Sequence, residues 1–204
     1  EVKVDAMEQV LASLYSIKKG GFLQRFKSQQ HLSFEIVAKK EDIRFFIVLP
    51  EKLRDLVEKQ IHGGYPGAEI RVVEEPNIFT VDGKVEFAWL TLRNAAYYPI
   101  QTFKNLTTDP MAAVTSALAK MGDGEGAHVQ IVISPADAGW KKKGRAWIGR
   151  TKKSESDPER ASYKVDPKVM EAVDNKVSKN GFQTTILMVV SSTSSSSCKA
   201  HLSN

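Results

Sequence analysis

"IRFFIVLPEKLRDLVEKQIHGGYPGAEIRVVEE" runs from Ile43 to Glu75. Ile43–Leu49 is an apolar run of strand length, bounded by Asp42 and Pro50. Its near-uniform apolarity predicts a strand central in a sheet, because only a strand covered on both faces has no use for polar alternation. Leu53, Leu56, Val57 and Ile61 then recur at spacings of three and four, which predicts a helix with one apolar face. Pro50 suits the start of that helix, since its ring presets φ and an N–H is not needed there. His62-Gly63-Gly64-Tyr65-Pro66 closes it, and Ala68–Val73 reads as a further strand.

Upstream, Leu32, Phe34, Ile36 and Ala38 alternate along one strand, and Lys39–Asp42 is a short charged turn into the next, so the two form a hairpin. Asp5 to Glu8 opens a helix in which Met7, Val10, Leu11, Leu14, Tyr15 and Ile17 share a face, with Gly20-Gly21 as its stop. With Glu1–Val4 as a strand, residues 1–75 read β-α-β-β-α-β, the split βαβ order of a ferredoxin-like module.

Downstream the pattern restarts. Val85–Arg93 is a strand, Asp109-Pro110 opens a helix with Val114, Leu118 and Met121 on one side, and Ala127, Val129, Ile131 and Ile133 alternate. Asp166-Pro167 opens a helix with Val169, Met170, Val173 and Val177 inward, and Phe182–Val190 is a strand. Between Ile133 and Asp166 a strand is missing, and Arg145–Gly149 is the candidate for it. The expected fold is therefore α+β, with two ferredoxin-like modules and mainly antiparallel sheets. The expected domains are residues 1–80, residues 81–190 with a basic insertion at 135–164, and a serine-rich tail or linker at 191–204.

Composition sets few limits. The net charge of +5 is mildly basic and speaks to partners, not to fold. Cys198 is the single cysteine, so no disulfide framework forms within the chain, which suits a reducing compartment. Ile186–Val190, an apolar stretch that none exceeds, is far too short to span a bilayer, and no signal peptide is visible. The chain opens on Glu1 in place of Met, and the expectation is that the natural N-terminus lies further upstream.

Chemistry-bearing patterns are sparse. No G-x-x-x-x-G-K-[ST] occurs, so the nucleotide-hydrolysis signature is missing. Met121-Gly122-Asp123-Gly124-Glu125-Gly126 is glycine-rich, but its interspersed acids would repel phosphate, and a helix-to-strand turn is the better reading. His31, His62, His128 and His201 share no metal-ligand spacing; no metal, cofactor or catalytic residue is expected. Cys198 and His201 read as an incidental pair in the tail.

The segment that stands out is Trp140–Lys153, "WKKKGRAWIGRTKK". It holds Lys141, Lys142, Lys143, Arg145, Arg150, Lys152 and Lys153 with no acid, and Trp140 and Trp147 lie among them. Cations neutralise phosphates, and indoles stack on bases or sit at a lipid interface. Three readings stand: a solvated insertion or hairpin pinned to the core by its indoles, a nucleic-acid contact, and a contact with anionic lipid or a partner protein. Phe34, Phe45 and Phe46 are strand aromatics that a single-strand-binding sheet would also use, although no RNP-like phrase is present.

Three stretches together carry a resemblance: Ala6–Ile17 ("AMEQVLASLYSI"), Leu32–Ile70 and Asp109–Pro135 ("DPMAAVTSALAKMGDGEGAHVQIVISP"). Over most of residues 1–190 the chain resembles the N-terminal, pre-ATPase region of type IV secretion-like conjugative DNA-transfer ATPases, a region that carries an uncharacterised domain. The resemblance implies a non-catalytic accessory or assembly region, cytoplasmic and close to the inner face of a membrane. It implies a P-loop motor further along the same chain, other secretion-machine subunits as partners, and DNA or an anionic membrane surface as contacts of the basic segment. The alternative is a stand-alone nucleic-acid-binding α+β module.

Overall fold

The computed structural model describes residues 4–17, 30–102, 105–156 and 165–203. In chain order the elements are α1 (Val4–Leu14, extended by a 3-10 turn at Tyr15–Ile17), β1 (Leu32–Lys39), β2 (Asp42–Val48), a 3-10 turn (Glu51–Leu53) leading into α2 (Arg54–Gly64), β3 (Lys84–Leu90), α3 (Pro110–Leu118), β4 (Gly126–Pro135), α4 (Gly139–Glu155), α5 (Pro167–Ser178), β5 (Phe182–Ser192) and α6 (Ser195–Ser203). They form two units. One comprises residues 1–90, 108–135 and 182–204; the other comprises residues 91–107 and 136–181.

The first unit is a five-stranded sheet in the order β2-β1-β4-β5-β3, antiparallel at every step. Alternation along the strands separates two faces. Leu32, Ile36 and Ala38 of β1 share a face with Ala127 and Ile133 of β4 and Val190 of β5. Helices cover that face in two places. Val10, Leu14 and Ile17 of the first helical segment meet Leu53 and Val57 over Leu32 and Ile133. Leu118, Met121 and Cys198 cluster with Ile36, Ala38, Ala127 and Val190. Each such fully buried aliphatic side chain contributes roughly 1.5–3 kcal/mol.

The opposite face carries a polar group at its centre. Glu35 is buried, its Oε2 lies 2.7 Å from His128 Nε2, and its Oε1 accepts from Gln130 Nε2 at 3.0 Å. Register explains the meeting: Glu35 lies opposite Gln130 and Val37 opposite His128, so all three side chains leave the sheet on one side.

The α+β class and the antiparallel sheet are as expected from the sequence, while several elements differ. Ile43–Leu49 provides β2, which is an edge strand, not a central one, and Phe45 is 65% exposed. The strands flanked on both sides are β1, β4 and β5, with β4 at the centre between β1 and β5. The gap expected beside β4 is filled by β1, so the sheet runs across residue 80 and needs no strand from Arg145–Gly149, which is helical. Ala68–Val73 joins no ladder, and Ile70, Val72 and Val73 are exposed. Val114 points outward, while Leu118 and Met121 are buried as their spacing predicts. Residues 191–203 are no linker: Ser191 and Ser192 end β5 fully buried, and α6 follows with Cys198 buried. Of the expected strand at Glu1–Val4, residues 1–3 lie outside the described residues, as does Gly20-Gly21; Val4 already belongs to α1.

Two turns follow local chemistry. Asp109 and Asp166 cap α3 and α5 by accepting from Met111 N and Lys168 N, each at 2.9 Å and each followed by Pro at the first helical position. The β1–β2 turn places Glu41 at φ 57°, a left-handed conformation uncommon for a residue with a side chain.

Candidate nucleic-acid interface

The basic segment is an α-helix of 17 residues, α4, inside the second unit. The sequence explains the helix once its apolar and small residues are taken together. Trp140, Gly144, Trp147 and Ile148 fall at i, i+4, i+7 and i+8, one stripe of a helical surface. That stripe packs on α5, with Ile148, Val173 and Val177 at the core and Tyr97, Tyr98, Trp140, Trp147, Val169 and Met170 around it. Trp140 lies against Gly181, just beyond α5, and Glu155 accepts from Val165 N at 3.1 Å, just before it. The two helices therefore run antiparallel.

Close packing holds this pair. A Cβ on Gly144 would stand 2.6 Å from Val177 Cγ1 and 2.9 Å from Tyr97 Cβ, so only glycine lets the helix come so near. A Cβ on Gly181 would lie 2.5 Å from Trp140 Cζ2. The Trp147 ring is 5.9 Å from that of Tyr97 and 5.4 Å from that of Tyr98, centroid to centroid, in the range of aromatic pairs. Lys176 reaches across to donate to Tyr98 O at 2.7 Å, and burial pushes its ammonium pKa down.

The cations face the other way. Lys142, Lys143, Arg145, Arg150, Lys152 and Lys153 are all exposed. Lys141 is half-buried, with Nζ 5.8 Å from the Trp140 ring centroid. Arg150 Nε donates to Ala146 O, within its own helix. No acid among the described residues forms an ion pair with any of the seven. The charge is also concentrated at the level of the unit. Residues 91–107 and 136–181 hold 14 Lys and Arg against 7 Asp and Glu, a net +7, which leaves −2 for the remainder of a chain whose total is +5.

Of the nine residues singled out in the sequence, the structure thus brings all onto one helix and divides them. Six cations form the exposed surface, and the two indoles belong to the packed side. A cavity of about 710 Å³ lies between Ile148, Lys152 and Glu155 of α4 and Pro167, Met170 and Asp174 of α5, with three carboxylates at its wall and one ammonium.

Other sequence candidates resolve as structure. The Met121–Gly126 loop is a turn, with Gly124 at φ 71° and Gly122 N donating to Glu125 Oε2 at 2.9 Å. Glu125 points inward and also accepts from Ser192 Oγ (2.6 Å) and Ser197 Oγ (2.8 Å), with His201 Nε2 at 3.0 Å. These hydrogen bonds, Ser192's foremost, hold its carboxyl down at about 2. Cys198 and His201 serve different partners: Cys198 Sγ donates to Lys84 O, and His201 meets Glu125. Among the described residues no group of three His, Cys, Asp or Glu could hold a metal, and no helix is long and apolar enough to cross a membrane.

Of the strand aromatics, Phe34 packs in the core and Phe45 is exposed. An exposed aromatic pair also lies outside the candidates that the sequence offers. Phe87 and Trp89 are 59% and 61% exposed on edge strand β3, with rings 5.6 Å apart. The alternation Val85-Glu86-Phe87-Ala88-Trp89 puts the three large apolar residues on one face, but nothing local says that the face lies bare.

No curated protein and no solved structure matches the chain. A family model does match, over residues 1–203, and by that match the chain belongs to the family described as a domain of unknown function (DUF8128).

Proposed function

We propose that this chain is a non-catalytic accessory region that contacts nucleic acid through the exposed face of α4. The observation that carries the reading is the division of that helix: its apolar side is consumed by packing on α5, and its six outward cations have no acidic partner among the described residues. A fold that needed α4 only as a prop would gain nothing from six like charges on one surface, since like charges at helical spacings of three and four repel. Phosphates offset that repulsion and release counterions on binding.

The resemblance to the pre-ATPase region of conjugative DNA-transfer ATPases gives this contact a setting: a domain at the inner, cytoplasmic face of the membrane that positions cargo for a motor in the same polypeptide. A stand-alone nucleic-acid-binding module is the alternative. The reading frame beyond Asn204 distinguishes them, because the first requires a G-x-x-x-x-G-K-[ST] motif there. The contact itself is tested by fluorescence anisotropy with labelled DNA. The K142E/K143E/R145E variant is expected to lose binding while keeping its circular dichroism spectrum. Unchanged affinity in that variant would end the proposal.

A further inference from the structure

We infer that α4 recognises the phosphates of double-stranded nucleic acid without reading sequence and without stacking on bases. This rests on the nucleic-acid reading above and narrows it.

Around the helix axis, at 100° per residue, Lys152, Arg145, Gly149, Lys142, Lys153, Ala146, Arg150 and Lys143 occupy one continuous arc of about 180°. Trp140, Gly144, Trp147, Ile148 and Thr151 occupy the opposite side. From Lys142 to Lys153 the arc extends for about 16 Å along the axis. Its middle is low: Ala146 and Gly149 are exposed, and a Cβ on Gly149 would meet nothing within 4 Å. Flexible ammonium and guanidinium groups thus flank a shallow strip.

What the arc lacks decides the mode. It holds no aromatic residue, because both indoles of the segment lie in the cluster with Tyr97, Tyr98 and Val173. Single-strand binders draw on base stacking, which this surface cannot supply. It also holds no Asn, Gln, Asp or Glu, the side chains that pair with base edges besides Arg and Lys. The cations remain, and their charge favours the form with the denser phosphates. A duplex presents one phosphate per about 1.7 Å of axis, twice the density of one of its strands. Lipid headgroups offer phosphate as well, but a helix that lies in a membrane interface buries an apolar face there, and the apolar face of α4 is already occupied by α5.

The experiment uses the full chain with four probes at matched ionic strength: two duplexes of unrelated sequence, an oligothymidine of equal length, and vesicles of mixed phosphatidylserine and phosphatidylcholine. The expected result is equal affinity for the two duplexes and about tenfold weaker binding of the oligothymidine. The slope of log K against log salt should be about −5 for six contacts, and K142Q should reduce it by about one. Ala146→Glu places an acid in the centre of the arc without removing a cation; it should weaken duplex binding at least as much as K142Q at an unchanged melting temperature. Tighter binding of the single strand, with quenching of tryptophan emission, overturns this inference and leaves the nucleic-acid reading standing. Binding to vesicles alone, or to none of the probes, overturns both.

Discussion

At the scale of single residues, Glu125 shows how a surface-looking acid becomes structural. In sequence it sits in a glycine-rich loop among Asp123 and three glycines. In the fold it gathers the loop's Gly122 N–H, the end of β5 through Ser192, and α6 through Ser197 and His201. The carboxylate form accepts all of these, so its pKa falls from 4.5 to about 2. A depressed carboxylate contributes stability that is fully present above its unfolded pKa and is lost as pH falls through the folded one. Urea unfolding is therefore expected to report a loss between about pH 4.5 and pH 2 that E125Q lacks. At neutral pH the same substitution is expected to cost about 1–3 kcal/mol, because charged hydrogen bonds to two hydroxyls and an N–H are replaced by weaker ones. A pH profile identical in the two proteins would show that Glu125 does not hold this corner.

At the scale of elements, α4 is where local rules compete. Gly144 and Gly149 lower helix propensity, each by about 1 kcal/mol relative to alanine, and Ala146-Trp147-Ile148 suits a strand. The helix wins because only a 3.6-residue period places Trp140, Gly144, Trp147 and Ile148 together against α5. The two glycines then behave differently. Gly149→Ala faces open space and is expected to stabilise by up to about 1 kcal/mol. Gly144→Ala should gain the same propensity yet lose about 1–3 kcal/mol to overpacking against Val177 and Tyr97, for a net loss in thermal unfolding. Equal effects at the two positions would mean that the helices separate at no cost. The cation and indole positions are legible in the sequence; their division between faces is not, because a strand or hairpin over Arg145–Gly149 would divide the side chains at period two, and the helix divides them at 3.6.

At the scale of the whole molecule, the sheet leaves an apolar strip at one edge. Val85, Phe87 and Trp89 are exposed on β3, which among the described residues has a strand neighbour only in β5. An open edge bearing large apolar side chains is prone to pair with other chains. F87K/W89K is expected to leave the melting temperature nearly unchanged, since the rings are mostly exposed, and to reduce concentration-dependent association in sedimentation. Strong destabilisation would show that the strip is covered. The sequence by itself determined the helix caps at Asp109 and Asp166, the apolar faces of α1, α2 and α5, the strands β1 to β5 within a few residues, and the charge of α4. These depend on neighbours a few residues apart, where side-chain period and hydrogen-bonding chemistry act directly. Only the tertiary structure decided that β1 lies between β2 and β4, that Ile43–Leu49 is an edge, and that Ala68–Val73 joins no ladder. Backbone N–H and C=O groups are alike in every strand, so a strand's own residues state which side is apolar but not which strand lies beside it. Leu32 lies opposite Ile133 on a sheet face that helices from both ends of the chain cover.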